Sequence, residues 1–290
     1  MAMSSLSFEA PTLLDYFATL VADDRQFSLL EAAIAIAHDD EPALDVQGVL
    51  SQIDALAAAL KQRIAADAGA MQTLRYLNRY FFQELGFAGN VNEYYDPHNS
   101  YLQRVLTMRR GIPITLALLY IEIAQQIGLD AHPVSFPGHF LVKLKMPQGE
   151  VIIDPFTGQS LSREALEERL TPYRRRQGLV GDFEAPLGLF LQPASDRDVL
   201  ARMLRNLKEI HRSTDDWPRL LAVQRRLVVL LPDVWEERRD RGLVLAEMNH
   251  RAAAAEDLQA YLEHRPDASD ARAIGERLVE LRLAGPQRLH

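Results

Sequence analysis

Residues 137–156, "PGHFLVKLKMPQGEVIIDPF", put a histidine at the head of one apolar run and an aspartate at the foot of the next. Phe140, Val142 and Leu144 alternate with Leu141 and Lys143, and Val151 to Ile153 answer them beyond "MPQG". This is the pattern of a β-hairpin over 139–154 closed by a short Pro/Gly-containing turn. With the turn centred near Pro147, His139 and Asp154 come roughly opposite each other. Opposed residues of an antiparallel pair hold their Cβ atoms about 4.5–5.5 Å apart, so a carboxylate there can accept the imidazole N–H and fix its tautomer. Such a pair is two members of a nucleophile–histidine–acid constellation. The chain contains no cysteine to supply the third.

Immediately upstream, "RRGIPITLALLYIEIAQQIGL" predicts a helix over 112–127. Pro113 suits its first turn, where a missing N–H costs nothing, and the segment is apolar on nearly every side, as a central, buried helix must be. Before it, "AGNVNEYYDPHNSYL" breaks helical periodicity with Gly, Asn, Asp and Pro, and Tyr94, Tyr95 and Tyr101 can anchor the loop so formed. The first hundred residues read as scaffold helices. "VQGVLSQIDALAAALKQRIAAD" sets Val49, Ile53, Leu56, Leu60 and Ile64 on one stripe, and "MQTLRYLNRYFFQELGF" ends near Gly86. After the hairpin, Ser162 is placed to cap a helix that begins in "REALEERL".

From about Val199 the chain is a series of helical segments. Pro232-Asp233 and Pro266-Asp267 stand 34 residues apart, the period of tetratricopeptide repeats. With Pro266 as a repeat end, Gly242 and Ala254 fall where that motif needs small residues, while the upstream unit has Lys208 and Leu220 at the corresponding places. Two units and a terminal helix fall short of the three repeats that usually stand alone, so the tail is expected to dock on the first domain. Stacked helix pairs offer a groove for a peptide segment. Trp217 and Trp235 are either groove residues or core.

The 290 residues are 48% hydrophobic and 25% charged, with a net charge of -8. That composition describes a soluble globular protein and argues against a general binder of nucleic acid or anionic membrane, which relies on clustered Lys and Arg. "YRRR" at 173–176 is the one short basic cluster and reads as a solvated loop. The opening "MAMSSLSFEAP" has no basic stretch followed by an apolar core, and no apolar run approaches about 18 residues, so a cytoplasmic protein is expected.

The buried helix, the apolar link and the His…Asp hairpin together resemble the transglutaminase-like fold, related to papain-type proteases. In that superfamily a cysteine at the start of the central helix precedes a Gly-Ile/Leu turn by about 15 residues, followed by a strand histidine and a next-strand aspartate. Counting back from Gly128-Leu129 lands near Pro113. The segments "EYYDPHNSYLQRVLTMRRGIPITLALLY", "PGHFLVKL" and "IIDPFTG", with the helical tail, resemble the bacterial SirB family, which joins a transglutaminase-like domain to C-terminal tetratricopeptide-type repeats. In "TGQSLS" a second glycine expected after Gly158 is missing. The resemblance implies an α+β fold: a mostly helical transglutaminase-like domain with a small antiparallel sheet over 1–195, then an α-helical repeat tail over 196–290. It also implies that His139 and Asp154 match the superfamily histidine and acid while the thiol is missing.

Two functional readings follow. One is a non-catalytic adaptor or regulator that engages a protein or peptide through the tail, with a small ligand possible in the His139/Asp154 cleft. The other is a hydrolase or acyltransferase using a hydroxyl, a water or a metal with His139 and Asp154. Thr115 and Ser135 are the nearest hydroxyls in sequence. Tyr94, Asp96, His98 and Asn99 form a polar cluster beside the expected cleft and are ligand-binding candidates, as are Arg110 and Thr115. Arg110 can bind a carboxylate or pair with the acidic surface, with Arg109 beside it. No paired histidine spacing signals a metal site, and neither a metal nor another cofactor is assigned.

Overall fold

The computed structural model describes residues 11–24, 27–179, 181 and 185–283. Residues 1–10, on which the reading of the opening segment rests, lie outside the described residues. In chain order the elements are α1 (Leu13–Leu20), α2 (Leu29–Ala35), α3 (Val46–Lys61), α4 (Ala70–Asn78), β1 (Ala88–Gly89), α5 (Leu102–Met108), β2 (Arg110–Gly111) and α6 (Pro113–Gln126). The sheet strands β3 (Asp130–Val134), β4 (Leu141–Met146), β5 (Gly149–Asp154) and β6 (Gln159–Leu161) follow, then α7 (Arg163–Arg176) and α8 (Leu187–Phe190). The chain continues through α9 (Asp196–Ser213), α10 (Trp217–Leu230), α11 (Trp235–Glu247), α12 (Arg251–His264) and α13 (Ala271–Leu283). The protein is mostly helical with a small antiparallel sheet.

Two compact units divide the chain. One holds 29–34 and 44–206; the other holds the described parts of 1–28, 35–43 and 207–290. The division thus falls inside α9, eleven residues past a cut at 195/196, and it groups the first helix with the repeats. The contacts explain the grouping. Phe17 of α1 is fully buried, the Arg226 guanidinium of α10 lies 5.4 Å from its ring centre, and Arg226 also pairs with Asp39. α1 therefore covers apolar surface that two repeats and a terminal helix would otherwise leave open.

In the first unit α6 organises the core. Pro113 is its first residue and Ile112 its N-cap, and Ile114, Leu116, Leu118, Leu119, Tyr120 and Ile123 are all buried, because α3 covers it on one side and β3 and β4 on another. Burial of such a side chain contributes about 1.5–3 kcal/mol. α3 is capped by Asp45, whose carboxylate accepts the Gly48 N–H, and buries Val49, Ile53, Ala57 and Leu60. The expected stripe is thus shifted at its end: α3 stops at Lys61, so Ile64 lies beyond the helix, and Ala57 takes the buried place next to the half-exposed Leu56.

The sheet runs β3-β4-β5-β6, antiparallel throughout. β4 is buried on both faces, Leu141 to Leu144 in succession, and the side away from α6 packs with Leu166, Leu170 and Leu187 of α7 and α8. β3 was not legible as a strand, since Pro133 sits within it. It is an edge strand, where a residue without an N–H is tolerated. Ser162 caps α7 by accepting the Ala165 N–H, as its sequence position indicates.

In the second unit the 34-residue period is geometric as well as sequential. Asp215 and Asn249, 34 residues apart, both adopt a left-handed backbone, at φ 53° and 62°. The N–H groups of Asp216 and His250, again 34 apart, each bond a carbonyl five residues back, at 2.9 and 2.8 Å. Gly242 allows α11 and α12 to touch: a Cβ there would lie 2.8 Å from Leu258 Cδ2. Ala254 is fully buried, and Trp217 and Trp235 pack against the apolar core of this unit.

Candidate functional site

His139 enters the site from a turn. In Phe136-Pro137-Gly138-His139 the last N–H donates to the Phe136 carbonyl at 3.0 Å, and Gly138 takes φ +71°. Proline followed by a left-handed glycine is the signature of a type II turn. The hairpin register pairs Val142 with Ile153 and closes on the two residues Pro147 and Gln148, so position 141 faces Asp154 and His139 lies two residues further out. The expectation of a directly opposed pair is corrected to a diagonal one. The turn swings the imidazole back over the strand end, where Nε2 lies 2.8 Å from Asp154 Oδ1.

Asp154 is held from several sides. Its side chain is 1% exposed; Oδ1 also accepts the Phe156 N–H at 3.0 Å and Oδ2 accepts Arg169 Nη1 at 3.0 Å. Burial opposes ionisation, but the hydrogen bond and charge of His139, then Arg169 and the Phe156 N–H, outweigh it and hold the carboxyl down at about 2. An ionised acceptor fixes the Nε2–H tautomer of a neutral imidazole, leaving the lone pair on Nδ1. The His139 side chain is 23% exposed, so the ring is open to solvent on part of its surface.

Arg202, from α9, pins the turn that carries His139. Its guanidinium donates to Ser135 Oγ at 2.7 Å, to the Phe136 carbonyl at 3.1 Å and to the His139 carbonyl at 2.7 Å. It also lies over the Phe140 ring. Neither Arg169 nor Arg202 was legible as a site residue, since each reads as an ordinary charged helix position. Phe156 forms the aromatic wall, meeting His139 and Tyr94 edge-on at centroid distances of 6.4 and 6.0 Å. Gly89 is required beneath it, because a Cβ there would lie 2.3 Å from the ring. Burial, then the neighbouring Tyr95, raises the Tyr94 phenol above its ordinary pKa while Arg202 pulls the other way, so phenol and guanidinium share one environment. The loop after Asp154 closes without the second glycine: Gly158 alone takes φ +74° and Gln159 pairs with Asp154 in β6.

The other sequence candidates are positioned differently. Asn99 is fully buried and ties the preceding loop, donating to the Glu93 carbonyl at 2.6 Å and accepting from Asn90 Nδ2 at 3.0 Å. His98 is bonded to Asp96 at 2.8 Å in a half-exposed turn and makes its ring contact with Tyr101. Arg110 bonds the carbonyls of Gly86 and Arg109 at 2.7 and 2.8 Å, so its guanidinium braces backbone; the two roles expected of it, carboxylate binding and surface pairing, are not what it is bonded to here. Thr115 is fully buried, with Oγ1 2.8 Å from the Asn99 carbonyl and 3.1 Å from that of Ile112. Among the described residues no three His, Asp or Glu side chains are grouped to hold a metal ion, and no helix is long and apolar enough to cross a membrane.

Comparison with known proteins agrees with this architecture. Residues 47–205 match the transglutaminase-like superfamily and residues 207–279 match the tetratricopeptide repeat. A UPF0162 protein of Xylella fastidiosa (strain Temecula1) is 37% identical over 260 residues, 89% of this chain and 92% of its own. UPF0162 protein PA3419 of Pseudomonas aeruginosa is 30% identical over 91% of this chain and 94% of its own. UPF0162 protein YchA of Escherichia coli K12 is 27% identical over 79% and 82%. No solved structure gives a significant match. The chain belongs to the UPF0162 family of proteins that join a transglutaminase-like domain to tetratricopeptide repeats.

Proposed function

We propose that the protein is a non-catalytic adaptor or regulator of the cytoplasm, in which the transglutaminase-like unit is a scaffold without a nucleophile and the repeat unit engages a protein or peptide. The carrying observation is the start of α6, where Pro113 stands near the place the superfamily gives to cysteine and the nearest hydroxyl, Thr115, is buried with its proton directed to backbone carbonyls. A nucleophilic hydroxyl needs a base within about 2.6–3.2 Å. The hydrogen bonds of Thr115 run to Asn99 and Ile112, and Ser135 Oγ is held by Arg202. The His139–Asp154 pair then serves as a clamp joining turn to strand and as the floor of a shallow cleft that admits a small ligand between His139, Phe156 and Tyr94. The resemblance to the SirB family fits the same picture. Neither a cofactor nor a metal enters this reading.

One observation favours a second reading. The ionised Asp154 leaves His139 Nδ1 as a partly exposed acceptor, the arrangement that activates a water in a hydrolase or acyltransferase. Purified protein assayed for amide and ester hydrolysis and for acyl transfer, beside His139→Ala, separates the two. The adaptor reading predicts background rates equal in both proteins. Turnover well above background that disappears in His139→Ala would establish the hydrolase.

A further inference from the structure

The repeat unit contains a cavity of about 560 Å³, lined by α9, α10, α11 and the start of α13. Pockets of about 300–1,000 Å³ are the size that binds ligands. Its position follows from the repeat itself. In the α11–α12 pair the close contact is Gly242 against Leu258. The residues 34 positions earlier are Lys208 and Gln224, and both line the cavity. Where the second repeat closes on a small residue and an apolar one, the first opens on two polar ones.

Gln224 is the second, independent sign. Its side chain is 1% exposed, and its Oε1 is buried with no donor to meet it. A buried acceptor left unmade costs free energy that a ligand N–H recovers. Around it the charges are unequal. Lys208 bonds Glu237 at 2.7 Å and Asp240 at 2.5 Å, and Arg239 bonds Asp240 and Asp270, each at 2.6 Å. Two cations thus face three carboxylates. At the rim Arg212 is paired with Glu209 and Glu247 with Arg277, so neither changes the balance. The remaining walls are apolar: Leu220, Leu243, Val244 and the indole of Trp217.

We propose that this cavity receives an arginine or lysine side chain of a partner peptide, the alkyl stem lying on Leu220, Leu243 and Val244 and the cationic head donating to Gln224 Oε1. A long basic side chain is apolar along its stem and a donor at its tip, and a cation over an indole face gains further attraction. The inference rests on the reading of the repeat unit as a peptide-binding module and names the chemistry that module selects.

The test is a titration of full-length Trp235→Phe protein, which leaves Trp217 as its indole, with the blocked peptide acetyl-Ala-Leu-Arg-Ala-amide. Matched peptides carry norleucine or glutamate in place of arginine, and free spermidine is a fourth probe. The arginine peptide should quench Trp217 saturably, with the norleucine peptide at least about tenfold weaker and the glutamate peptide weaker still. Gln224→Leu should weaken the arginine peptide at least about tenfold while keeping or raising the unfolding midpoint, because it installs the residue type that packs at Leu258. Gln224→Met, similar in length without the acceptor, is the second variant. Equal binding by wild type and both variants overturns the inference, as does the absence of saturable quenching. Preference for the norleucine or glutamate peptide overturns the cationic assignment and leaves the peptide-binding module standing. Binding of spermidine without any peptide overturns both.

Discussion

Asp154→Asn keeps the shape of the side chain at the strand end and removes its charge. In the folded protein the carboxyl titrates at about 2 against an ordinary value of 3.8, a gap that corresponds to about 2 kcal/mol of stability at neutral pH. The stranded partners add little, because Arg169 is 38% exposed and His139 23% exposed, and both can turn to water. We therefore expect a loss of about 2–3 kcal/mol at pH 7. The sign of the pH dependence follows from the depressed folded value. The stabilisation is full above the unfolded pKa and is lost as pH falls through the folded one, so about half remains at pH 3. Both tryptophans, Trp217 and Trp235, lie in the repeat unit and report on it. The assay is therefore hydrogen exchange of the β4 and β5 amides across a urea series, at pH 7 and at pH 3. A difference between wild type and variant below about 0.5 kcal/mol at pH 7, or one of equal size at both pH values, would refute the assignment of Asp154 as a buried, ionised anchor.

Three further outcomes are expected. Gly242→Val should cost about 2 kcal/mol or more in tryptophan-monitored urea unfolding, since even a Cβ meets Leu258 Cδ2 at 2.8 Å; an unchanged midpoint would remove the close-contact argument for the repeat. Burial lowers the pKa of His211 below 6.5, against the pull of the Asp216, Asp40 and Asp39 carboxylates and with the help of Arg219. The unfolded chain then binds that proton more readily, so the repeat unit should lose stability as pH falls below about 6.5, and His211→Asn should flatten the slope between pH 7 and 5. Arg202→Met should speed amide exchange at His139, whose N–H closes the turn, by about five- to thirtyfold, equivalent to about 1–2 kcal/mol, and leave α12 exchange unchanged.

The legible part of the site is the part written in local sequence. His139 and Asp154 are separated by one hairpin whose alternation can be counted, and the central helix announces itself through Pro113 and an apolar run. The two-residue offset between them was not countable, because it depends on the Pro137-Gly138 turn adding residues outside the ladder. Arg169 and Arg202 were hidden for a different reason. Each reaches its target across 15 or 63 positions, and a single arginine on an amphipathic helix carries no mark of which backbone it will brace. The same distance concealed the grouping of α1 with α10, which rests on Phe17 under Arg226. Gly242 and Ala254 were legible, since a 34-residue period tells where helices must touch. Gln224 emerged as a polar departure from that period only once Leu258 was seen packing on Gly242.

The central claim is that the transglutaminase-like unit has no nucleophile, and the most direct measurement is the intact mass of the protein after incubation with a stoichiometric peptide thioester. An enzyme of covalent acyl transfer holds its acyl group long enough to be weighed. The account predicts that wild type and His139→Ala both keep their unmodified mass. A one-to-one acyl adduct on Thr115 or Ser135 of the wild type, absent from His139→Ala, would contradict it.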